Sequence, residues 1–151
     1  MNKMWDGNQL YRLREEQIVI NKYFPDFRFF DFNNEENCSL VGSFYTDSGK
    51  EYSIQIFIQG FPYMVPNAYI LSPKPLYDYY GRPMTSYGAS SQMHTLQPYK
   101  DYVHMCLYRA ERWSANISLV KLILKARIWI EAYEWHLASG KNICDYTIEM
   151  Y

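Results

Sequence analysis

Apolar and polar residues alternate most regularly between residues 51 and 59, and this pattern predicts a β-strand with one buried face. The large apolar residues on that face are Tyr52, Ile54, Ile56 and Ile58. Two runs rich in aromatic and β-branched residues come before it, at 27–32 and 39–45. Residues 47–50 supply a turn between the last two runs. Strands joined this tightly pair antiparallel, so the three runs predict a meander with one face free for a helix.

Beyond this strand the chain is expected to leave the sheet and return. Pro62 and Pro66 cannot donate hydrogen bonds to a strand ladder, so residues 60–66 form a detour. Residues 67–71 then predict a fourth strand. From residue 72 to about 103 there is no periodic pattern, and prolines and glycines punctuate the stretch. A loop of this length is uncommon in a compact domain and is usually functional or disordered.

A helix is predicted before the meander. Asp6 and Asn8 are candidate N-caps, the helix runs to about Tyr23, and Pro25 ends it. The apolar residues expected on its inner face are Leu10, Leu13, Ile20 and Tyr23.

A longer helix is predicted after the loop. It begins near Asn116 or Ser118, runs to about Ser139 and stops at Gly140. Because it is apolar on most sides, we expect it to be buried between the sheet and other elements. A helix, a meander, a loop and a helix together predict an α+β fold with both helices packed on an antiparallel sheet.

Composition narrows the class of protein. The 151 residues predict one domain, and 15 basic against 16 acidic residues give no electrostatic footprint for nucleic acid. No apolar segment of a signal peptide opens the sequence, and charges within the long helix argue against a membrane span. Three cysteines without a paired spacing are typical of reduced thiols in the cytoplasm and form no zinc-type ligand set. We therefore expect neither a cofactor nor a metal ion.

Cys106 is the thiol whose setting favours chemistry. It lies in the sequence His-Met-Cys-Leu-Tyr, between the long loop and the apolar helix. A thiol in such a position is held in place and can still be reached by a partner. Cys38, which opens a strand, and Cys144, in the C-terminal tail, are interpreted as structural or incidental.

Three further features stand in a distinctive order. Residues 61–66 read Phe-Pro-Tyr-Met-Val-Pro, Cys106 is followed by Leu107, and Trp113 precedes the long helix. This order resembles the ubiquitin-conjugating (E2-like, UBC-like) fold, with its N-terminal helix, four-stranded antiparallel meander, Tyr-Pro-x-x-Pro-Pro segment, long active-site loop, Cys-Leu pair and long C-terminal helix. In this chain Val65 stands in place of the middle proline.

Other residues make the resemblance more specific to one group within that family. His94 precedes Cys106, and residues 129–135 read Trp-Ile-Glu-Ala-Tyr-Glu-Trp. In these features the chain is similar to the prokaryotic E2-like proteins that accompany cGAS-like nucleotidyltransferases in antiphage CBASS systems. The resemblance implies one E2-like domain over residues 1–151, in a cytoplasmic bacterial transferase of antiviral defence. The C-terminus of the nucleotidyltransferase is the implied acyl donor, and an E1-like activating protein is a further implied partner.

The resemblance also implies that Cys106 carries an acyl group as a thioester and passes it to an amine. His104 lies two residues before it, so in an extended segment its imidazole would lie beside the sulfur; alternatively it is a solvated loop residue. His94 is a candidate for bracing the loop through hydrogen bonds. Thr95 and Leu96 follow His94 where the larger family has Pro-Asn, so no Asn is in place to support the oxyanion.

Two other functions stay open. E2-like folds without chemistry, such as variant and RWD-type domains, are protein-interaction modules, and the missing Asn favours this alternative. A Cys/His hydrolase needs a base and an orienting group, for which His104 and Asp101 are available.

Overall fold

A computed structural model describes residues 4–147, which form an α+β fold. The helices are α1 (Gly7–Tyr23), α2 (Leu119–Ser139) and the one-turn α3 (Ile143–Tyr146). The strands are β1 (Arg28–Phe30), β2 (Ser39–Tyr45), β3 (Glu51–Phe57), β4 (Asn67–Ser72), β5 (Thr95–Tyr99) and β6 (Tyr102–Met105). These described strands form one antiparallel sheet in the order β1-β2-β3-β4-β6-β5.

The predicted meander is confirmed. β2 and β3 pair from Ser39 opposite Phe57 to Tyr45 opposite Glu51. The apolar residues that alternate along β3 are fully buried, as the period of two requires. The Tyr52 hydroxyl donates a hydrogen bond to Glu134 of α2 at 3.0 Å, so the long helix covers this face of the sheet.

The stretch from 72 to 103 contains regular structure, so the prediction of a loop over its whole length is wrong. The sheet of the described residues has six strands, not the four that the resemblance implied. Most of the β5–β6 hairpin lies within this stretch, and β6 pairs with β4 by placing Met105 opposite Ala68. A 3₁₀ turn, Met84–Tyr87, comes before the hairpin. β5 lies at the edge of the sheet, where Pro98 is tolerated because an edge strand leaves half of its amides unpaired. Strands of only five and four residues, one with a proline, are too short to show a period.

α1 begins at the predicted N-cap. The Asp6 carboxylate accepts a hydrogen bond from the Gln9 amide at 2.8 Å, and the Gln9 side chain accepts one from the Asp6 amide at 3.1 Å. Leu13 and Ile20 are buried as expected, but Leu10 is only half-buried and Tyr23 is 62% exposed. The buried residues Leu13 and Ile20 belong to the core of the protein, and α1 also contacts α2.

α2 has the predicted ends. The Ser118 hydroxyl accepts a hydrogen bond from the Lys121 amide at 3.2 Å, and Gly140 closes the helix in the left-handed conformation at φ 74°. The expectation that the helix is buried on most sides is wrong, because Leu124 and Ile128 are 45% and 38% exposed. One stripe faces the sheet, and the opposite side is open.

Candidate active site

Cys106 stands where the chain leaves the sheet, directly after β6. Its amide donates a hydrogen bond to the carbonyl oxygen of His94 at 2.9 Å. The indole of Trp129, on α2, donates to the same oxygen at 2.9 Å. His94 itself adopts a positive φ of 49°. One carbonyl group therefore joins the candidate cysteine, the candidate loop histidine and the long helix.

The Cys106 thiol is half-buried, and its sulfur lies 4.0 Å from the carbonyl oxygen of Tyr108. Burial raises the pKa of this thiol above its ordinary value. The positive charges of Arg109 and Lys125 oppose that rise, and Glu111 adds to it. The thiolate thus forms against a desolvation penalty that two cations reduce.

Lys125 reaches from α2 to the residues that follow the cysteine. Its ammonium group donates to the Leu107 carbonyl oxygen at 3.2 Å and lies 3.6 Å from the centroid of the Tyr108 ring. Burial, followed by the charge of Lys121, lowers the pKa of Lys125 to about 8, while the thiolate of Cys106 acts in the opposite direction. Lys125 and Cys106 are therefore electrostatically coupled.

An aromatic cluster ties the proline-containing segment to this region. The indole of Trp113 donates to the Pro62 carbonyl oxygen at 2.8 Å, and its ring packs edge-on against Tyr108 with centroids 5.5 Å apart. The Tyr108 hydroxyl is buried and has no hydrogen-bond partner within residues 4–147. Trp113 and Pro62, which the sequence suggested separately, are thus brought together beside the residues that follow Cys106.

His104 is a buried strand residue, so the alternative of a solvated loop residue is wrong. It is 8% exposed, its ring stacks on Tyr69 with centroids 4.4 Å apart, and its Nδ1 is 3.0 Å from the carbonyl oxygen of Gln97. Burial lowers the pKa of the imidazole, and the Gln97 contact opposes this. Since β6 ends at Met105, the rule that aligns residues two apart in a strand does not extend from His104 to the thiol. A catalytic role for His104 stays a prediction.

His94 and Asp101 are the other two residues for which the sequence suggested a role. Burial, followed by the charge of Arg109, lowers the pKa of His94. Its side chain therefore shares a charged neighbour with the Cys106 thiol. Asp101 is exposed in the turn between β5 and β6, and the group facing Nδ1 of His104 is the Gln97 carbonyl. The orienting carboxylate of a hydrolase is thus not in the hydrogen bond where that mechanism needs it.

The other cysteines have different surroundings. Cys38 is 1% exposed, and burial raises its pKa to about 12. Cys144 is half-buried in α3, where its amide donates to the Gln92 carbonyl oxygen at 2.9 Å. Burial and the neighbouring Asp145 raise the pKa of Cys144. Of the three thiols, Cys106 is the one for which two cationic side chains oppose the rise in pKa that burial causes.

Sequence reasoning missed Lys125, Arg109 and Tyr108 as members of this site. Lys125 had a usable signal, because it follows Leu122 by three residues and precedes Trp129 by four, and both of these are buried. That spacing puts a lysine on the inner stripe of an apolar helix. Arg109 and Tyr108 had no such signal, since they follow the cysteine in an irregular segment.

Comparison with protein-family models, with curated proteins and with solved structures finds no match to this chain. In residues 4–147, no cluster of three or more His, Cys, Asp or Glu side chains is arranged to bind a metal ion. None of the helices in that range combines the length and apolar character needed to cross a membrane.

Proposed function

We propose that the protein is an E2-like acyl carrier in which Cys106 holds the C-terminal acyl group of another protein as a thioester. The observation that carries this proposal is the position of the thiol. It is half-buried directly after β6, where the chain leaves the sheet, and Arg109 and Lys125 provide positive charge around it. Nearby positive charge favours the thiolate, which is the nucleophilic form of a cysteine.

The order of elements supports a UBC-like fold. α1, the antiparallel meander, the proline-containing segment 61–66 and the long α2 follow one another as in that family. The hydrogen bond from Trp113 to Pro62 gives two of the family-like residues a common structural role. The β5–β6 hairpin is a departure, because it adds two strands between the meander and Cys106.

The proposed reaction has two acyl transfers. The Cys106 thiol first loses its proton, and the sulfur attacks the carbonyl carbon of an activated C-terminus, either an acyl adenylate or a thioester on an E1-like protein. A C–S bond forms while AMP or the E1 thiol leaves. An amine then attacks the thioester carbon, so that a C–N bond forms, the C–S bond breaks and the amine proton is released. The family resemblance names the C-terminus of a cGAS-like nucleotidyltransferase as the acyl donor.

The test is the replacement of Cys106 by serine. The protein is incubated with the nucleotidyltransferase, an E1-like activating protein and ATP, and adducts are resolved by mass spectrometry with and without reductant. We expect wild type to form a thiol-sensitive adduct and Cys106→Ser to form none, or an ester that resists reductant, because a serine hydroxyl is a far weaker nucleophile. Cys144→Ser is the matched control and should form the adduct normally. An undiminished, reducible adduct with Cys106→Ser would show that the proposed reaction is wrong.

A second candidate function is a protein-interaction module without chemistry. The observation in its favour is that burial raises the pKa of the Cys106 thiol, which lowers the thiolate fraction at neutral pH. If the protein is a module, wild type and Cys106→Ser should bind the nucleotidyltransferase equally well, and neither should form a covalent adduct. Binding measured by calorimetry beside the adduct assay therefore separates the two functions.

A further inference from the structure

The side chain of Lys125, on α2, contacts both residues that follow Cys106. The Lys125 ammonium group donates to the Leu107 carbonyl oxygen at 3.2 Å and rests 3.6 Å from the Tyr108 ring centroid. Both contacts are made to the segment that carries the thiol. The position of this charge relative to the sulfur is therefore set by a rigid helix on one side and by the adjoining backbone on the other.

Two cations act on the thiol, and they differ in how firmly they are held. The charge of Arg109 has the larger effect on the pKa of Cys106, but its side chain is exposed, where solvent and salt screen it. Lys125 is half-buried, so its charge is screened less. The coupling is mutual, because the Cys106 thiolate acts on the pKa of Lys125 as well.

We propose that Lys125 is a positioning residue for Cys106, whose ammonium group holds residues 107–108 against α2 and stabilises the thiolate. The inference deepens the proposed function and rests on it for the reaction that the thiolate performs. The proton released by the thiol passes to solvent, and the new negative charge on sulfur is balanced by the charge already present on Lys125. Nothing in this step requires Lys125 to contact the acyl donor.

The proposal implies an unusual pH dependence. The support that Lys125 gives to the thiolate is present while it is an ammonium group and is lost as the pH rises through its pKa of about 8. Other groups that act on the pair include Arg109, Glu111, Arg112 and Lys121, and Arg109 also acts on His94. Burial and the charge of Arg109 lower the pKa of His94, so this imidazole does not titrate above neutral pH.

The experiment measures alkylation of Cys106 by iodoacetamide from about pH 6.5 to about pH 10, with each cysteine peptide quantified by mass spectrometry. We expect Lys125→Met to slow alkylation of Cys106 by roughly three- to tenfold near pH 7. The ratio of the wild-type rate to the variant rate should fall toward one by about pH 10, where Lys125 is largely uncharged in the wild type too. A change in packing or access alone would alter the rate by a similar factor at every pH.

Lys121→Met is the matched control, because Lys121 lies one turn earlier on α2 and is exposed. The charge of Lys121 lowers the pKa of Lys125, so the comparison is made near pH 7, where Lys125 is largely charged in either protein and the rate should change by less than about twofold. A folded Lys125→Met variant whose rate matches wild type at both ends of the pH range overturns the proposal. A ratio of wild-type to Lys125→Met alkylation rates that is the same at every pH also overturns it.

A measurement on the wild-type protein covers the case in which Lys125→Met does not fold. The logarithm of the wild-type alkylation rate should rise with pH with a slope clearly below one above about pH 8, because the stabilising charge is being lost as the thiolate forms. A slope of one up to a single plateau overturns the proposal. Neither measurement uses an acyl donor, so failure of the adduct assay leaves this result standing, and failure here leaves the adduct assay standing.

Discussion

Glu16 is a buried carboxylate that joins the two longest helices. Its Oε1 accepts a hydrogen bond from the Leu119 amide at 2.7 Å, at the start of α2, and lies 3.7 Å from Nη2 of Arg12. Burial raises the pKa of Glu16, while the Leu119 amide and Arg12 lower it, and the net result is a raised pKa. The charged form is thus less favourable in the folded protein than in the unfolded chain. This side chain stabilises the fold more when protonated than when ionised.

The sign of that pKa shift gives a prediction at the scale of one residue. Because the folded pKa is above the unfolded value, the contribution of Glu16 to the free energy of unfolding falls as the pH rises from about 4.5 through the folded pKa. Glu16→Gln keeps an acceptor for the Leu119 amide without the charge, so near pH 7 it should be within about 1 kcal/mol of wild type. Glu16→Ala should lose about 1–3 kcal/mol, because that amide loses its partner. Urea unfolding between about pH 4 and 8 measures both. Equal losses in the two variants near neutral pH would contradict this interpretation.

At the scale of elements, the ends of the helices could be predicted from the sequence because they depend on nearby residues. Asp6, Ser118 and Gly140 were expected at helix ends, and their roles depend only on residues within one turn. β5 and β6 were missed because both are short, Pro98 suggested a loop, and β6 also pairs with β4, which lies far from it in sequence. The same limit applies to the site, where the setting of Cys106 and the family resemblance pointed to the thiol but did not place Lys125 near it.

Gly42 gives a prediction about how β2 packs. A Cβ atom at this position would lie 2.3 Å from atoms of the Phe27 ring, and that ring is itself buried. Gly42→Ala should therefore reduce the free energy of unfolding by about 1–3 kcal/mol through overpacking. Gly7→Ala is the control, because nothing lies within 4 Å of its added Cβ, and it should be neutral or stabilising by less than about 1 kcal/mol. If thermal unfolding gives the same midpoint for both variants, Phe27 does not cover β2 as described.

At the scale of the whole molecule, α2 fastens parts of the chain that are far apart in sequence. Four of its side chains bond to three segments: Lys125 to Leu107, Trp129 to His94, and both Tyr133 and His136 to residues 77–79. The residues between β4 and β5 thus bond to this helix as well as to one another. The thiol is held in the same way, through the His94 carbonyl group.

Removing one of these bonds should loosen one segment and leave the others. Trp129→Phe removes the indole donor to the His94 carbonyl oxygen, so deuterium uptake should accelerate in peptides covering residues 90–106. Tyr133→Phe is the matched control, because it removes only the hydroxyl that donates to the Tyr77 carbonyl oxygen at 2.6 Å. Its effect should appear in peptides around residues 76–82. Hydrogen exchange measured by mass spectrometry tests both, and a uniform acceleration throughout the protein in either variant would contradict independent fastening.

The two open edges of the sheet bear on how copies of the protein meet one another. β1 is three residues long, and β5, at the other edge, contains Pro98. A long, regular edge strand offers unpaired amides and carbonyls on which a second chain can add a strand, which is a common route to aggregation. A very short edge and an edge interrupted by proline both weaken that template. The protein can therefore be concentrated with little tendency to add its own copies strand to strand.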